Sequence, residues 1–525
     1  MQRSLWIIMA ALALAGCSGR LGPDRVSDAT QLCHIKDLER EARCGTLSVP
    51  EDPANAAGKK IEIAFVVIPA KARYKEPDAV FVLAGGPGQS ARAIAGPISK
   101  VFAASNARRD LVFVDQRGTG KSNGFKCDTG DKGLPLAQQL NIDRQIAVTN
   151  ACKDKLPGDA RHYITSAAVK DYDAVRAHLG YPQINLWGGS YGTRAALEYT
   201  RQFPGTVRTL MLDGVAPAAM VLPISMAIDS HAALMGWIEA CEKDAACSKQ
   251  QPDLRAKVTQ LFAGAPVPLE FANGFTGKRE THAVDPILIA QAMRSPLYAP
   301  PLASALPHAV LQAAQGNGDP LAALAGSFSV GSEDDFSIGM HLSVVCAEDV
   351  DRIDDAALAS VKDSLFGAKY AQQYRRMCAG WPRGAVPAAF YEPVKANVPV
   401  LLLSGGLDPV TPPRHGALVA KWFEGAQHLV APNAGHIVSG TPCAPELLHK
   451  FVKSGGAEEL DGACLTKPPR PLFYAHPVQP APKLAPPATD VNRTLTPRPL
   501  PRAGEGAIGA SNTSAAITTQ RIERQ

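Results

Sequence analysis

The pentapeptide Gly188-Gly189-Ser190-Tyr191-Gly192 constrains this chain more than any other feature. It stands between Ile184–Trp187, which reads as a strand, and Arg194-Ala195-Ala196-Leu197-Glu198-Tyr199, which starts a helical pattern. A serine on so tight a strand-to-helix turn sits in strained backbone geometry, so the positions two residues either side must be small. Gly188 and Gly192 meet that need. The turn lifts the hydroxyl above a sheet and points a helix N-terminus at it, where developing negative charge is favoured.

The surroundings supply the sheet. Short apolar runs at Ile61–Ile68, Val80–Leu83, Leu111–Val114, Thr209–Leu212, Val398–Leu403 and His428–Val430 alternate with helical patterns. That alternation implies βαβ units around a mainly parallel sheet, and runs that are apolar throughout imply cover on both faces. Between 216 and 395 the rhythm gives way to Ala227–Cys241, Leu254–Phe262, Pro286–Met293 and Ala356–Leu365, all with helical spacing between Pro- and Gly-rich turns. The expected architecture is an α/β-hydrolase fold with a large, mostly helical lid inserted before its last strands. The expected divisions are a signal peptide (1–16), an N-terminal lead (17–60), core segments at 61–215 and 396–466 around the 216–395 lid, and a disordered Pro-rich tail (467–525).

A serine hydroxyl needs a neighbouring base. In this fold the order along the chain is Ser, then Asp or Glu, then His. The run Val398–Leu403 leads into Ser404-Gly405-Gly406-Leu407-Asp408, and His428–Val430 leads into Pro432-Asn433-Ala434-Gly435-His436. Asp408 and His436 would both lie past the carboxyl ends of strands, at the edge that carries Ser190. His436 is therefore the expected base and Asp408 its orienting acid. His415 and His428 are rival bases, and Asp213 is the rival acid. The oxyanion hole needs two backbone N–H groups: one from Tyr191 and one from the Gly-rich loop Ala84-Gly85-Gly86-Pro87-Gly88. There Gly86 is preferred and Gly85 is the rival.

Charge and cysteines narrow the setting. A net charge of +5 without a clustered basic face gives no footprint for nucleic acid. Arg3, the apolar Leu5–Ala13 and then Leu14-Ala15-Gly16-Cys17 read as an export signal too short to span a bilayer. The cysteine after small residues resembles the lipobox of bacterial lipoproteins. That implies lipid on Cys17 as the only membrane attachment and, with Ser18 next, the periplasmic side of a Gram-negative outer membrane. The other destination is secretion or the periplasm. Setting Cys17 aside leaves ten of the eleven cysteines, an even set that reads as disulfides, with pairing between neighbours preferred. With no CxxC and no HExxH, neither a metal nor another cofactor is expected. Gly118-Thr119-Gly120-Lys121-Ser122 looks like the end of a phosphate-binding loop, but the required earlier glycine is Asp115, so no nucleotide is expected.

Taken together, GGPG at 85–88, Asp115-Gln116-Arg117-Gly118-Thr119-Gly120 with Ser122, the approach at Asp171–Gly180, the GGSYG turn, Asp408 and His436 closely resemble proline iminopeptidases. With the export signal, the cysteines and the long insertion, the chain is most similar to the exported tripeptidyl aminopeptidase branch. The resemblance covers roughly 60–215 and 396–466. One departure is Ala84, where a histidine usually precedes the glycines. The resemblance implies a serine exopeptidase that removes residues from the amino end of short peptides through an acyl-enzyme. Such an enzyme must pair a free ammonium with a carboxylate, and Glu348 in Cys346-Ala347-Glu348-Asp349 is the expected partner. An esterase or amidase on a small apolar substrate would use the same triad. A binding lipoprotein with an inactive core would have lost some part of it.

Overall fold

All seven apolar runs form strands. The computed structural model describes residues 25–475, apart from 128–129, 131–133, 275 and 328–334. The expected signal, Cys17 and the tail beyond 475 lie outside the described residues. In chain order the strands are β1 (Gln31–Cys33), β2 (Ala42–Pro50), β3 (Lys60–Ile68), β4 (Ala79–Leu83), β5 (Leu111–Val114), β6 (Ile184–Gly189), β7 (Val207–Asp213), β8 (Val267–Ala272), β9 (Arg279–Val284), β10 (Val400–Gly405) and β11 (Gln427–Ala431). Nine of them make one sheet in the order β1-β2-β3-β5-β4-β6-β7-β10-β11. The first three pair antiparallel, and the six from β5 to β11 are parallel.

Successive side chains of a strand point to opposite faces, and both faces are filled. Phe81, Leu83, Leu186, Leu212 and Leu402 pack into one core, while Val80, Val82, Trp187, Met211 and Leu401 pack into the other. Helices Thr165–Leu179 and Tyr191–Gln202 cover the first face, and Ala444–Ser454 covers the second. Strands β1 and β2 come from the N-terminal lead, which carries no apolar run, and the Cys33–Cys44 disulfide ties them together. The remaining disulfides also join sequence neighbours: Cys127–Cys152, Cys241–Cys247, Cys346–Cys378 and Cys443–Cys464.

Between β7 and β10 the chain is mostly helical, with helices at Ile224–Lys243, Leu254–Leu261, Pro286–Leu297, Leu306–Ala314, Ile338–Glu348 and Gly367–Cys378. The expected helix at 356–365 is shorter, Asp355–Ser360. The hairpin β8–β9 is a feature that helical spacing alone does not announce. At the other end, residues 467–475 do not behave as the start of a disordered tail. Arg470 lies over the Trp237 ring at 4.9 Å, Phe473 meets Trp237 edge-on at 5.8 Å, and Tyr474 N–H donates to the Ser304 carbonyl. Two aromatic anchors and a cation–π contact offset the entropy of a stretch that composition marks as polar and Pro-rich.

The loop Asp115–Ser122 is a structural knot. Arg117 grips the Asp171 carboxylate through Nε (2.7 Å) and Nη2 (2.8 Å), and its Nη1 donates to the Glu51 and His162 carbonyls. Asp115 accepts from Ser90 Oγ and from the backbone of Arg92 and Lys121. A buried carboxylate inside the loop, with no helix following it directly, is the opposite of a phosphate cradle. Because Arg117 and Asp171 are both buried, Asp171→Ala strands a guanidinium. We expect about 3–5 kcal/mol of lost stability in urea unfolding; a loss below about 1 kcal/mol would refute the role.

Candidate active site

Ser190 occupies the turn between β6 and the helix Tyr191–Gln202, with φ 56° and ψ −126°. The chain returns so sharply that a Cβ on Gly188 would stand 2.3 Å from the Gly192 carbonyl oxygen. One on Gly192 would stand 2.2 Å from that of Leu83. Ser190 N–H donates to the Asp213 carbonyl (2.8 Å), which fixes the turn to the end of β7. Tyr191 begins the helix, where the first N–H groups have no intrahelical acceptor. Its hydroxyl accepts from Gln116 Nε2 (2.9 Å) and meets Thr165 Oγ1 at 2.6 Å, anchoring the turn from below.

The loop after β4 lies against the serine: a Cβ on Gly85 would be 3.1 Å from that of Ser190. Gly85 N–H donates to Gln89 Oε1 (3.2 Å). Gly86 has φ 108° and precedes a cis peptide to Pro87.

Asp408 and His436 come together past the ends of β10 and β11. His436 Nδ1 is 2.8 Å from Asp408 Oδ2. The other carboxylate oxygen accepts from the backbone N–H groups of Val410 and Thr411, both at 2.9 Å. Thr411 Oγ1 donates to Asp408 Oδ2 (2.7 Å) and lies 3.1 Å from His436 Nδ1. Burial opposes charge on both groups, yet their mutual attraction and these donors win. Asp408 is held below the usual carboxylate range and His436 above the usual imidazole value. Gly214, next to the residue that receives Ser190 N–H, lies against the His436 ring: a Cβ there would be 3.2 Å from Cε1.

The rivals have other partners. His428 Nε2 meets Ser404 Oγ at 3.0 Å, and His415 Nε2 meets Asp229 Oδ2 at 2.8 Å. Asp213 accepts from Val438 N–H and Ser439 N–H at 2.7 and 2.8 Å. That clamp holds the chain just past His436, where Ile437 has φ 71°, a conformation β-branched residues rarely adopt. Thr411, which pattern reading passes over, supports Asp408, and Asp213, the rival acid, instead holds the backbone past His436. The offset of Thr411, three residues after Asp408 in a turn, is the signal that could have found it.

Glu348 does not stand open to a substrate ammonium. It is buried, its Oε1 accepts from Thr165 N–H (2.7 Å), and its Oε2 faces Arg194 Nη1 at 3.4 Å. Asp349 completes the pair at 2.9 Å from the same nitrogen. Burial pushes the Glu348 carboxyl up to about 7 against the pull of Arg194, with Asp349 adding to the rise. The physical reason is Arg194 itself. A buried cation on the helix behind Ser190 needs counter-charge, and Cys346-Ala347-Glu348-Asp349 supplies it.

The insertion is stitched to both loops of the site. The Tyr298 carbonyl accepts from His436 N–H (3.0 Å), and its ring meets the imidazole edge-on at 5.1 Å. On the other side Ser337 N–H donates to the Gly88 carbonyl, and His341 Nδ1 is 3.1 Å from the Pro87 carbonyl.

Two family models match the sequence: "alpha/beta hydrolase fold" over residues 78–239 and "TAP-like protein" over residues 363–464. Among curated proteins the chain is similar to the serine protease Hip1 of Mycobacterium tuberculosis, 24% identical over 517 residues spanning 88% of this chain and 97% of that protein. It is 26% identical to a tripeptidyl aminopeptidase of Streptomyces coelicolor over 471 residues, 82% of this chain and 84% of the relative. A shorter match, 31% over 135 residues, is to a probable proline iminopeptidase of the same organism, covering 26% of this chain and 32% of that one.

Proposed function

We propose that this chain, an α/β-hydrolase of the TAP-like kind and a serine hydrolase, is an exopeptidase that releases residues or short peptides from the amino end of peptides. The observation that carries the proposal is Ser190 on its strained turn together with the His436–Asp408 pair past the ends of β11 and β10, with the insertion bonded to the Gly85–Gly88 loop and to the His436 loop. Similarity to a serine protease and a tripeptidyl aminopeptidase over more than four-fifths of the chain supports the peptide as substrate class.

In this reading His436 takes the Ser190 proton as the hydroxyl oxygen attacks the scissile carbonyl. The tetrahedral oxyanion is received by the N–H groups of Gly86 and Tyr191. His436 then returns the proton to the departing amine, leaving an acyl-enzyme on Ser190. Water repeats the sequence and frees the acid. Asp408 holds the imidazole with Nδ1–H toward itself, so that the Nε2 lone pair is free to take the Ser190 proton. Glu348 serves in this reading as counter-charge to Arg194, and the exopeptidase reading does not depend on it.

The discriminating assay compares peptidyl anilides with free and blocked amino termini beside p-nitrophenyl esters. We expect free termini to be preferred by an order of magnitude or more in kcat/KM. Equal turnover of blocked and free anilides, with faster ester cleavage, would favour an esterase or amidase instead. Anchoring to a membrane through lipid on Cys17 is a separate proposal. It is tested by metabolic labelling with a fatty-acid probe in the native chain and in Cys17→Ala. Among the described residues no helix is long and apolar enough to cross a membrane.

A further inference from the structure

The insertion carries a cation that the mechanism leaves unused. Arg294, on the helix Pro286–Leu297, donates from Nη1 to the Tyr298 hydroxyl (2.9 Å), and its guanidinium carbon lies 5.7 Å from the Tyr298 ring centre. No carboxylate among the described residues pairs with it. Among the described residues its Nε is buried without a hydrogen-bond partner, and Nη1 is the nitrogen that donates one. Nε and Nη2 form the side-on edge of a guanidinium. Arg117 uses that same edge to grip Asp171 in this protein. A fork of this kind, desolvated and lacking counter-charge among the described residues, matches a planar carboxylate bidentately.

Its place relative to the chemistry is given by Tyr298. That residue links the two centres: its hydroxyl meets Arg294, its ring packs on His436 at 5.1 Å, and its carbonyl accepts from His436 N–H. The cation therefore stands on the side of the base, where the proton is handed to the departing amine. The groups that act most on Arg294 are the hydroxyls of Tyr370, Tyr298 and Tyr374, with His341, which burial pushes down to about 4, beyond them; the carboxylate that reaches this side, Asp408, acts on Tyr298 and is engaged by His436 and Thr411. His341 in turn touches the Pro87 carbonyl and the Tyr374 hydroxyl, so this polar group spans the gap between oxyanion loop and base.

We propose that Arg294 is the receptor for a carboxylate on the leaving side of the substrate, supplied by the C-terminus of a short peptide or by an acidic side chain. An extended chain advances about 3.5 Å per residue, so a carboxylate held over Tyr298 falls within a few residues of the scissile bond. The enzyme then measures its substrate from both ends, cutting short peptides better than long ones. This inference rests on the exopeptidase reading.

The test uses the full chain and three tetrapeptides with free amino termini: Ala-Ala-Ala-Ala as the acid, the same peptide as the C-terminal amide, and Ala-Ala-Ala-Asp amide. In the native enzyme we expect kcat/KM for the acid to exceed that for the amide by about tenfold or more, the scale of a charge-assisted pair. If the Asp amide recovers the rate, an acidic side chain serves as well as the terminus; if it does not, only the terminal carboxylate is read. In Arg294→Gln the acid-to-amide ratio should fall to near one, and Arg294→Lys should keep part of it. Because the ratio is taken within each variant, a loss of folded enzyme cancels. A native ratio near one for both carboxylate sources, or a ratio that survives in Arg294→Gln, overturns the proposal and leaves the exopeptidase reading standing. Should no peptide be cut while p-nitrophenyl acetate is, the exopeptidase reading falls and takes this one with it.

Discussion

Replacing Ser190 with alanine should lower kcat on every substrate by about 10⁵–10⁶-fold, the scale expected when the nucleophile of a cooperating triad is removed. The far-UV spectrum and melting temperature should not fall. Ser190→Gly separates chemistry from stability more sharply. The native φ of 56° and ψ of −126° suit glycine and strain any residue with a Cβ, at about 1–3 kcal/mol. Ser190→Gly should therefore be as inactive as Ser190→Ala and unfold at a higher denaturant concentration. Labelling by a fluorophosphonate probe should vanish in both variants. Retention of labelling, or of more than about a hundredth of the native rate, would show that another residue is the nucleophile.

Asp408→Asn should cost about 10⁴-fold in kcat, because an amide leaves the imidazole in the wrong tautomer. It also makes a pH prediction of definite sign. Only neutral His436 accepts the serine proton, so activity rises as pH climbs through the imidazole pKa. In the native protein Asp408 holds that value above the ordinary one, and the acid limb of kcat/KM lies correspondingly high. With the carboxylate gone, burial remains, and burial disfavours the charged ring. The acid limb of the residual activity should move to lower pH. An unchanged limb would mean that Asp408 does not set the imidazole. Thr411→Val removes one donor from Asp408 and should shift the limb only slightly, which separates the carboxylate from its support.

The core strands were readable because burial on both faces imposes runs of apolar residues, and β4, β5, β6 and β10 are such runs. The placement of Ser190, Asp408 and His436 past the carboxyl ends of strands was readable for a different reason. Each follows a strand, and each lies in a loop whose shape is written locally in glycine and proline. Strands β1 and β2 escaped notice because they lie at the sheet edge, where β2 is half-exposed and its residues alternate only loosely. Residues 467–475 pack rather than trail because Trp237, some 230 positions earlier, offers a ring to Arg470 and Phe473, which composition cannot register.

The charged residues mark where legibility ends. Glu348 has the right chemistry to meet a substrate ammonium, and its proximity to Cys346 in sequence made it the natural choice. Its partner is decided by Arg194, 154 positions away, which the fold buries behind the serine. The same holds for Arg294. Along the chain it is one arginine on an amphipathic helix, and only the packing of Tyr298 against His436 brings it to the base with its Nε unpaired among the described residues. Backbone shape follows from short-range sterics and the period of burial, so the sequence alone determined the core strands, the turn at Ser190 and the places of Asp408 and His436 past the ends of strands. The pairing of a buried charge depends on which distant surfaces meet and exclude water, and that only the tertiary structure decided.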